Sequence, residues 1–266
     1  MKKSVVCAAL ALAAALVATT GCAKKAEKGE YTIEKGVYKV GMEIGYPPME
    51  YYEADGKTPA GFDIELGNAI AEKLGLKAEF IDTAWDGIFA GLETNKYDVV
   101  MSAATITPER LESMEFSKPY VGNGQAIVVN TKSGFTPATP AELAGKIVAY
   151  QAETTSDIFM TKQAEAGLKF TAAEFDKVIN AFDELKLGRC DAVVCDALVY
   201  ASYKDDPAYV STWTGDADEY FGVAIRKGNS ELVSKVNAAL DELIADGTMK
   251  ALYEKVFGAD LSNTIQ

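Results

Sequence analysis

Along the chain, short apolar runs rich in β-branched residues alternate with stretches whose apolar positions recur at helical spacing. Val37-Tyr38-Lys39-Val40-Gly41 reads as a first strand. Leu66, Ile70 and Leu74 then recur at i+4, which predicts a helix from Phe62 that closes at Gly75. A second strand is predicted over 78–81, a short helix over 88–93 and a third strand over 97–102. The pattern restarts with a strand over 146–150, helices over 155–166 and 178–187, a strand over 191–195 and a helix over 197–203. Leu232, Val236, Leu240 and Leu243 stripe a last amphipathic helix over 232–244, which Gly247 breaks and which resumes to Phe257. Such alternation predicts an α/β chain with parallel sheets covered by helices. The two runs read as two lobes rather than as copies, with candidate junctions at 120–124 and 219–223.

Ahead of the first strand stands a segment of another kind. Met1-Lys2-Lys3 is a basic start, residues 5–18 are small and aliphatic, and Thr19-Thr20-Gly21-Cys22 comes next. The apolar stretch is too short to cross roughly 30 Å of hydrocarbon comfortably, and it resembles a bacterial lipoprotein signal in which Cys22 becomes the lipidated first residue. Thr19 departs from that pattern, where an aliphatic residue is usual; ordinary secretion with Cys22 as a bystander is the alternative. Residues 22–36 then serve as lipid anchor and polar tether.

Composition narrows the chemistry. The 266 residues are 48% hydrophobic and 24% charged, enough for one large domain or two moderate ones. The net charge of −13 repels phosphate backbones, so no nucleic-acid partner is expected. There is no histidine, which excludes Ser-His-Asp and Cys-His catalysis and histidine-ligated metals. With Cys7 lost in the signal and Cys22 lipidated, Cys190 and Cys195 remain. A strand between them would separate their Cα atoms by roughly 16 Å, beyond the limit of about 7 Å for a disulfide, so they are expected as free thiols.

Open sheets bind ligands at the carboxyl ends of their strands, and several residues at those ends invite attention. After the third strand, Thr107 suits a helix N-cap, Pro108 the first helical position and Glu109 the positive helix end. Arg110 opposes the dipole there; it is either a solvated surface residue or one half of a carboxylate clamp. Asp196 ends a strand and is placed to receive an ammonium group or to cap the next helix. Tyr46 and Trp85 come after the first two strands and are able to clamp a side chain, although a single ring more often packs in a core. Gln151, Thr154 and Thr155 offer polar groups and helix-start amides, or a plain N-cap. A guanidinium from one lobe and a carboxylate from the other make a socket for a zwitterion.

Four motifs then occur in order: Gly61-Phe62-Asp63-Ile64-Glu65-Leu66, Trp85-Asp86-Gly87-Ile88-Phe89-Ala90-Gly91-Leu92, Ala104-Thr105-Ile106-Thr107-Pro108-Glu109-Arg110 and Phe116-Ser117-Lys118-Pro119-Tyr120. Together they resemble the extracellular solute-binding proteins of family 3, polar amino-acid receptors of ABC importers, over residues 38–257. The resemblance implies a two-lobed, periplasmic-binding-protein-like fold with two hinge crossings: lobe 1 over 37–122, lobe 2 over 123–221 and the completion of lobe 1 over 222–266. It implies that Arg110 pairs with an α-carboxylate, helped by Thr105 and the backbone at Thr155. Asp196 would take the α-ammonium, with the Ser102 carbonyl and the Thr105 hydroxyl. Tyr46 and Trp85 would sandwich the side chain, Ala103 would form a wall, and Glu43 and Gln151 would line the distal end, with Thr154 alongside.

Glu43, with a second acid at Glu50, favours a cationic or amide side chain: arginine, lysine or glutamine, with cystine also compatible. Nothing basic is assigned to that distal end, which disfavours glutamate. The expected partners are a free polar amino acid, an importer permease and a lipid bilayer through Cys22 alone. The chain is expected to be an exported monomer with no metal and no cofactor. Two rivals are an enzyme of the cyclohexadienyl-dehydratase kind, with Glu43 or Glu153 moving the proton, and a sensory module; the lack of a membrane span after Phe257 speaks against the latter.

Overall fold

A computed structural model describes residues 29–265. The signal segment, Cys7, Cys22 and the first part of the tether lie outside the described residues. An interior strand of the first half is Val37–Met42, whose Tyr38, Val40 and Met42 are fully buried. It pairs in parallel with Lys77–Asp82 on one side and Val99–Val100 on the other. Ala224–Arg226 and Met114–Phe116 complete this five-stranded sheet, and Ala224–Arg226 runs antiparallel to both its neighbours.

The second sheet repeats the plan. Thr171–Phe175, Ile147–Gln151 and Ala192–Asp196 run in parallel, and Gln125–Asn130 and Tyr209–Thr214 join them as antiparallel neighbours. Each sheet is therefore mixed, not wholly parallel as the alternation of elements suggested. The reason is connectivity: the first sheet is closed by a strand from the end of the chain, and the second begins and ends with strands that no crossover helix joins. Between the sheets the chain passes twice, and the two passes pair with each other. Val121–Asn123 lies antiparallel to Glu219–Phe221, in the two segments singled out as junctions.

Helices cover both sheets. Phe62–Lys73 buries Ile64, Leu66, Ile70 and Ala71, and Ser230–Ala245 buries Leu232, Val236, Leu240 and Leu243, the stripe read from the sequence. Asn229 caps the latter by accepting from the Leu232 N–H, and Gly247, at φ 83°, ends it before Thr248–Phe257 begins. Some predicted elements are shorter than expected. The third strand is in register only over Val99–Val100, the helix expected over 88–93 is Ala90–Glu93, and that over 197–203 ends at Tyr200. Cys190 and Cys195 are free and buried, as expected.

One glycine matters to the site. Gly61 sits at φ 119°, and a Cβ there would stand 2.3 Å from the Met49 carbonyl oxygen. That close approach lets the first amides of the helix, Phe62 and Asp63, donate to the carbonyls of Pro48 and Met49 at 3.0 and 2.8 Å. Glu50 and Asp63 are thereby set side by side behind the end of the first strand.

Candidate functional site

The carboxyl ends of the parallel strands of both sheets face one narrow cavity with a free volume of about 10 Å³, room for about one water. It is lined by Glu43, Tyr46, Trp85, Ser102, Ala103, Thr105, Arg110, Gln151, Thr154, Thr155 and Asp196. The eleven candidate ligand-binding residues drawn from the sequence thus meet at one place, whereas Glu50, offered as a second acid, and Glu153 do not line it. Glu43 comes after Val37–Met42, Trp85 after Lys77–Asp82 and Ser102 after Val99–Val100, whereas Gln151 and Asp196 end their own strands.

Arg110 stands in the first turn of Pro108–Ser113, whose start is built as read: Thr107 caps by accepting from the Arg110 N–H at 3.2 Å, with Pro108 at the first position. Its guanidinium does not lie free on the surface. Nη1 donates to the Thr105 carbonyl at 2.8 Å, and the group lies 4.8 Å from the Phe89 ring centroid and 5.4 Å from that of Trp85. Burial lowers its pKa to about 10, which leaves it a cation at neutral pH. No carboxylate among the described residues lies within 4.0 Å of it. It is a partly buried cation without an anion.

Asp196 is the counterpart. It does not cap the next helix, the alternative its position allowed. Its Oδ2 accepts from the Tyr46 hydroxyl at 2.6 Å, and Oδ1 accepts from Asn123 Nδ2 at 2.8 Å and Gln125 Nε2 at 3.0 Å. Burial, and then Glu219, push its carboxyl well above the usual range. No basic side chain forms an ion pair with it among the described residues. Burial likewise keeps Tyr46 neutral and a donor. An N–H cation beside Asp196 would relieve its burial cost, as an anion beside Arg110 would relieve the guanidinium's.

Tyr46 and Trp85 both line the cavity without stacking on each other, and Trp85 meets the edge of Phe89 instead. The Thr154 hydroxyl donates back to the Gln151 carbonyl at 2.8 Å rather than capping Thr155–Glu165. Thr155 accepts weakly from Gln125 at 3.4 Å, which leaves its own hydroxyl hydrogen available to a ligand. At the other end, Gln151 donates to Glu43 Oε2 at 2.6 Å and to the Asp176 carbonyl at 2.8 Å. Its Oε1, in a residue 2% exposed, accepts from nothing among the described residues. The two acceptors on its amide nitrogen fix the orientation, because a flipped amide would set oxygen against carboxylate.

Among the described residues, four side-chain hydrogen bonds cross between the halves: Tyr46 to Asp196, Gln151 to Glu43, the Trp85 indole to the Glu153 carbonyl at 3.0 Å, and Thr105 to Glu219 at 3.1 Å. The lobes are closed on each other across the cavity. Two non-glycine residues beside it take left-handed backbone, Ala103 at φ 47° and Glu153 at φ 60°.

Sequence reasoning missed several members of this arrangement. Asn123 and Gln125 aim Asp196, and Glu219 accepts from both Thr105 and Gln125. The available signal was polarity at the junctions: Asn123 and Gln125 lead into the apolar run 126–129, and Glu219 opens the second junction. Phe89 stacking under Arg110 was also unforeseen. The distal end is not devoid of base: Lys177 reaches Gly45, with Nζ 3.2 Å from where a Cβ would stand, and its charge bears on Glu43.

The sequence profile of the bacterial extracellular solute-binding proteins, family 3, matches residues 38–259. The chain belongs to that family. Over 256 residues it is 34% identical to the L-cystine-binding protein TcyJ of Escherichia coli K12, covering 94% of each. It is 34% identical to the L-arginine-binding protein of Pseudomonas aeruginosa PAO1 over 84% of this chain and 88% of that one. Among solved structures, an ancestral arginine-binding protein bound to arginine superposes with a TM-score of 0.79 at 41% identity, covering 84% of this chain and 99% of the other. The fold of this solute-binding protein is accordingly two-lobed and α/β. No helix among the described residues is long and apolar enough to cross a membrane.

Proposed function

We propose that the chain is an extracytoplasmic receptor that closes its two lobes on one polar amino acid and delivers it to an ABC importer permease, with no chemistry of its own. One observation carries this reading: a guanidinium, Arg110, and a buried carboxylate, Asp196, neither with an ion-pair partner among the described residues, face one cavity between closed lobes. An α-amino acid supplies both missing charges. Arg110, Thr105 and the amide of Thr155 take its carboxylate; Asp196, the Thr105 hydroxyl and the Ser102 carbonyl take its ammonium; Tyr46 and Trp85 hold the side chain. Lobe 1 over 37–122 and 222–266 and lobe 2 over 123–221 then hinge at the paired strands Val121–Asn123 and Glu219–Phe221.

The distal end selects the side chain. The orphan Gln151 Oε1 and the Glu43 carboxylate together form an acceptor wall that calls for N–H donors. This favours arginine or lysine, with glutamine next. Lys177 beside Gly45 keeps cystine as the second reading, since a distal zwitterion would meet both Glu43 and Lys177. Calorimetry against the twenty common amino acids, ornithine and cystine, on refolded protein stripped of carried-over ligand, is expected to give arginine the tightest binding. Failure of every one of them to bind overturns the receptor reading. Glu43→Gln is expected to cost arginine about 1–3 kcal/mol more than it costs glutamine, because the charge-assisted bond is lost only for the guanidinium. Equal losses for both ligands would remove Glu43 from side-chain selection.

Export and a lipid on Cys22 complete the proposal, on the strength of the signal segment and the Thr-Gly-Cys run before the tether. The wild-type chain is expected in the membrane fraction and Cys22→Ser in the soluble one. A Cys22→Ser chain that stays with the membrane contradicts the anchor.

A further inference from the structure

Behind the Ser102–Ala103 wall of the cavity, Glu50 and Asp63 lie together, each fully buried. Ser102 Oγ donates to Glu50 Oε1 at 2.6 Å and accepts from the Glu43 N–H at 3.0 Å. Asp63 Oδ2 accepts from the Ala103 N–H at 2.8 Å and from the Tyr120 hydroxyl at 3.0 Å. The oxygens left over, Glu50 Oε2 and Asp63 Oδ1, receive no donor from the described residues, yet the two side chains stand within hydrogen-bond reach of each other. No ion pair with a lysine or arginine compensates either group among the described residues.

Two ionised carboxylates in that contact would repel each other in a low-dielectric setting with both leftover oxygens unsatisfied. We propose that Glu50 and Asp63 share a single proton, and that this carboxyl–carboxylate pair is the positioning element that holds the pocket wall and ties it to the hinge. The Glu50 hydroxyl donates to Asp63 Oδ1, so each carboxyl oxygen has at least one partner and the pair carries one negative charge. That charge is spread over the Ala103 amide and the Tyr120 hydroxyl. Through Ser102 and Ala103 the pair fixes the backbone of Glu43 and holds Ala103 at φ 47°. Through Tyr120, whose carbonyl accepts from the Tyr253 hydroxyl, it reaches the junction at Val121–Asn123 and the C-terminal helix. Burial pushes both carboxyls above the usual range, and the charge of Asp63 raises Glu50 further while the hydrogen bond from Glu50 draws Asp63 back down, in keeping with a proton retained on Glu50.

The other titratable groups that bear on the pair are Glu43, Tyr120 and, beyond it, Tyr253, so nothing cationic among the described residues offsets a second ionisation. Raising the pH removes the shared proton, the pair becomes a dianion, and the wall loses its register. Ligand binding therefore weakens on the alkaline side.

The inference about binding rests on the receptor reading, but the shared proton does not. L-arginine is titrated calorimetrically into the wild type, Glu50→Gln and Asp63→Asn between about pH 6 and about pH 9. Infrared difference spectra of the ligand-free proteins record the carboxylic-acid C=O band. In Glu50→Gln the amide reproduces the protonated acid: its oxygen accepts from Ser102 and its N–H donates to Asp63. Above the interval in which Asp196 titrates, wild-type affinity is expected to fall by up to about tenfold per pH unit, the most one linked proton gives, while Glu50→Gln changes less than about twofold over that same interval. The wild-type band is expected at neutral pH and to shrink by one carboxyl's share in Glu50→Gln, the share of Asp196 remaining; an undiminished band in the variant overturns the shared proton. Asp63→Asn, which donates in the opposite sense, gives the same flat profile and serves should Glu50→Gln not fold. A wild type without the band, or a variant with the same alkaline loss as the wild type, overturns the proposal. If arginine binds at no pH, the receptor reading falls while the infrared result still decides the proton.

Discussion

Arg110→Ala is expected to weaken amino-acid binding by roughly 2–5 kcal/mol, a loss of more than tenfold in Kd, without unfolding the protein. The size reflects the charge left behind. In a closed cavity the ligand carboxylate would remain desolvated beside Thr105 and Thr155 with no cation to meet it. The fold is spared because Arg110 does little for it in the free protein. It donates to one carbonyl, stacks near two rings and forms no ion pair among the described residues. Its lowered pKa reflects a cation that burial disfavours, so its removal relieves a cost. Thermal unfolding should therefore show an unchanged or higher Tm without ligand and no rise on adding it. A large fall in the ligand-free Tm would mean that Arg110 is structural.

Asp196→Asn is expected to be comparably severe, at roughly 2–5 kcal/mol, although the side chain keeps its size. It removes the charge opposite the ligand ammonium, and its NH2 replaces one acceptor oxygen, facing either the Tyr46 hydroxyl or the Asn123 and Gln125 amides. The same substitution should change the pH dependence. The Asp196 carboxyl is held well above the usual carboxylate range by burial and by Glu219, and the ligand ammonium prefers it ionised. Binding to the wild type thus releases a proton, and affinity rises with pH from the ordinary carboxylate range up to the raised value. The stability of the free protein runs the other way. The folded chain binds the proton more tightly than the unfolded one, so this group's contribution falls as pH rises through that interval. Asp196→Asn should flatten both trends. Calorimetry and thermal unfolding across the acidic range check them, and an acid limb of binding that persists in the variant would assign the proton elsewhere.

Legibility in the sequence divides along physical lines. Buried central strands announce themselves, because Val37–Met42, Ile147–Gln151 and Ala192–Asp196 are dense in apolar, β-branched residues. The site residues at their carboxyl ends could be picked out from that position alone, and the ordered motifs added the rest of the cavity lining. The edge strand Lys77–Asp82 was read, but both edges of the second sheet were missed because half their residues face solvent: Thr171–Phe175 carries Ala and Glu, and Tyr209–Thr214 is polar with one bulge. Gln125–Asn130 is apolar, but it lies too close to the junction to be read apart from it. The mixed sheets escaped because Ala224–Arg226 finds its place only when the end of the chain returns.

The supports of the site were harder still. Asn123, Gln125 and Glu219 act on residues more than seventy positions away or across the hinge, and no local spacing reveals that. Lys177 is the same case for the distal end, where a residue from the second half lays a charge against Gly45.

If the two lobes grip the two charges of an α-amino acid, the site must tell L-arginine from agmatine, the same molecule without its carboxylate. Calorimetry of both ligands on the wild type and on Arg110→Ala measures that difference directly. The wild type is expected to prefer arginine by roughly 2–5 kcal/mol. Arg110→Ala is expected to lose most of that preference, since the carboxylate and the guanidinium are one interaction. Agmatine binding the wild type as tightly as arginine, or an undiminished preference in the variant, would contradict the two-charge grip.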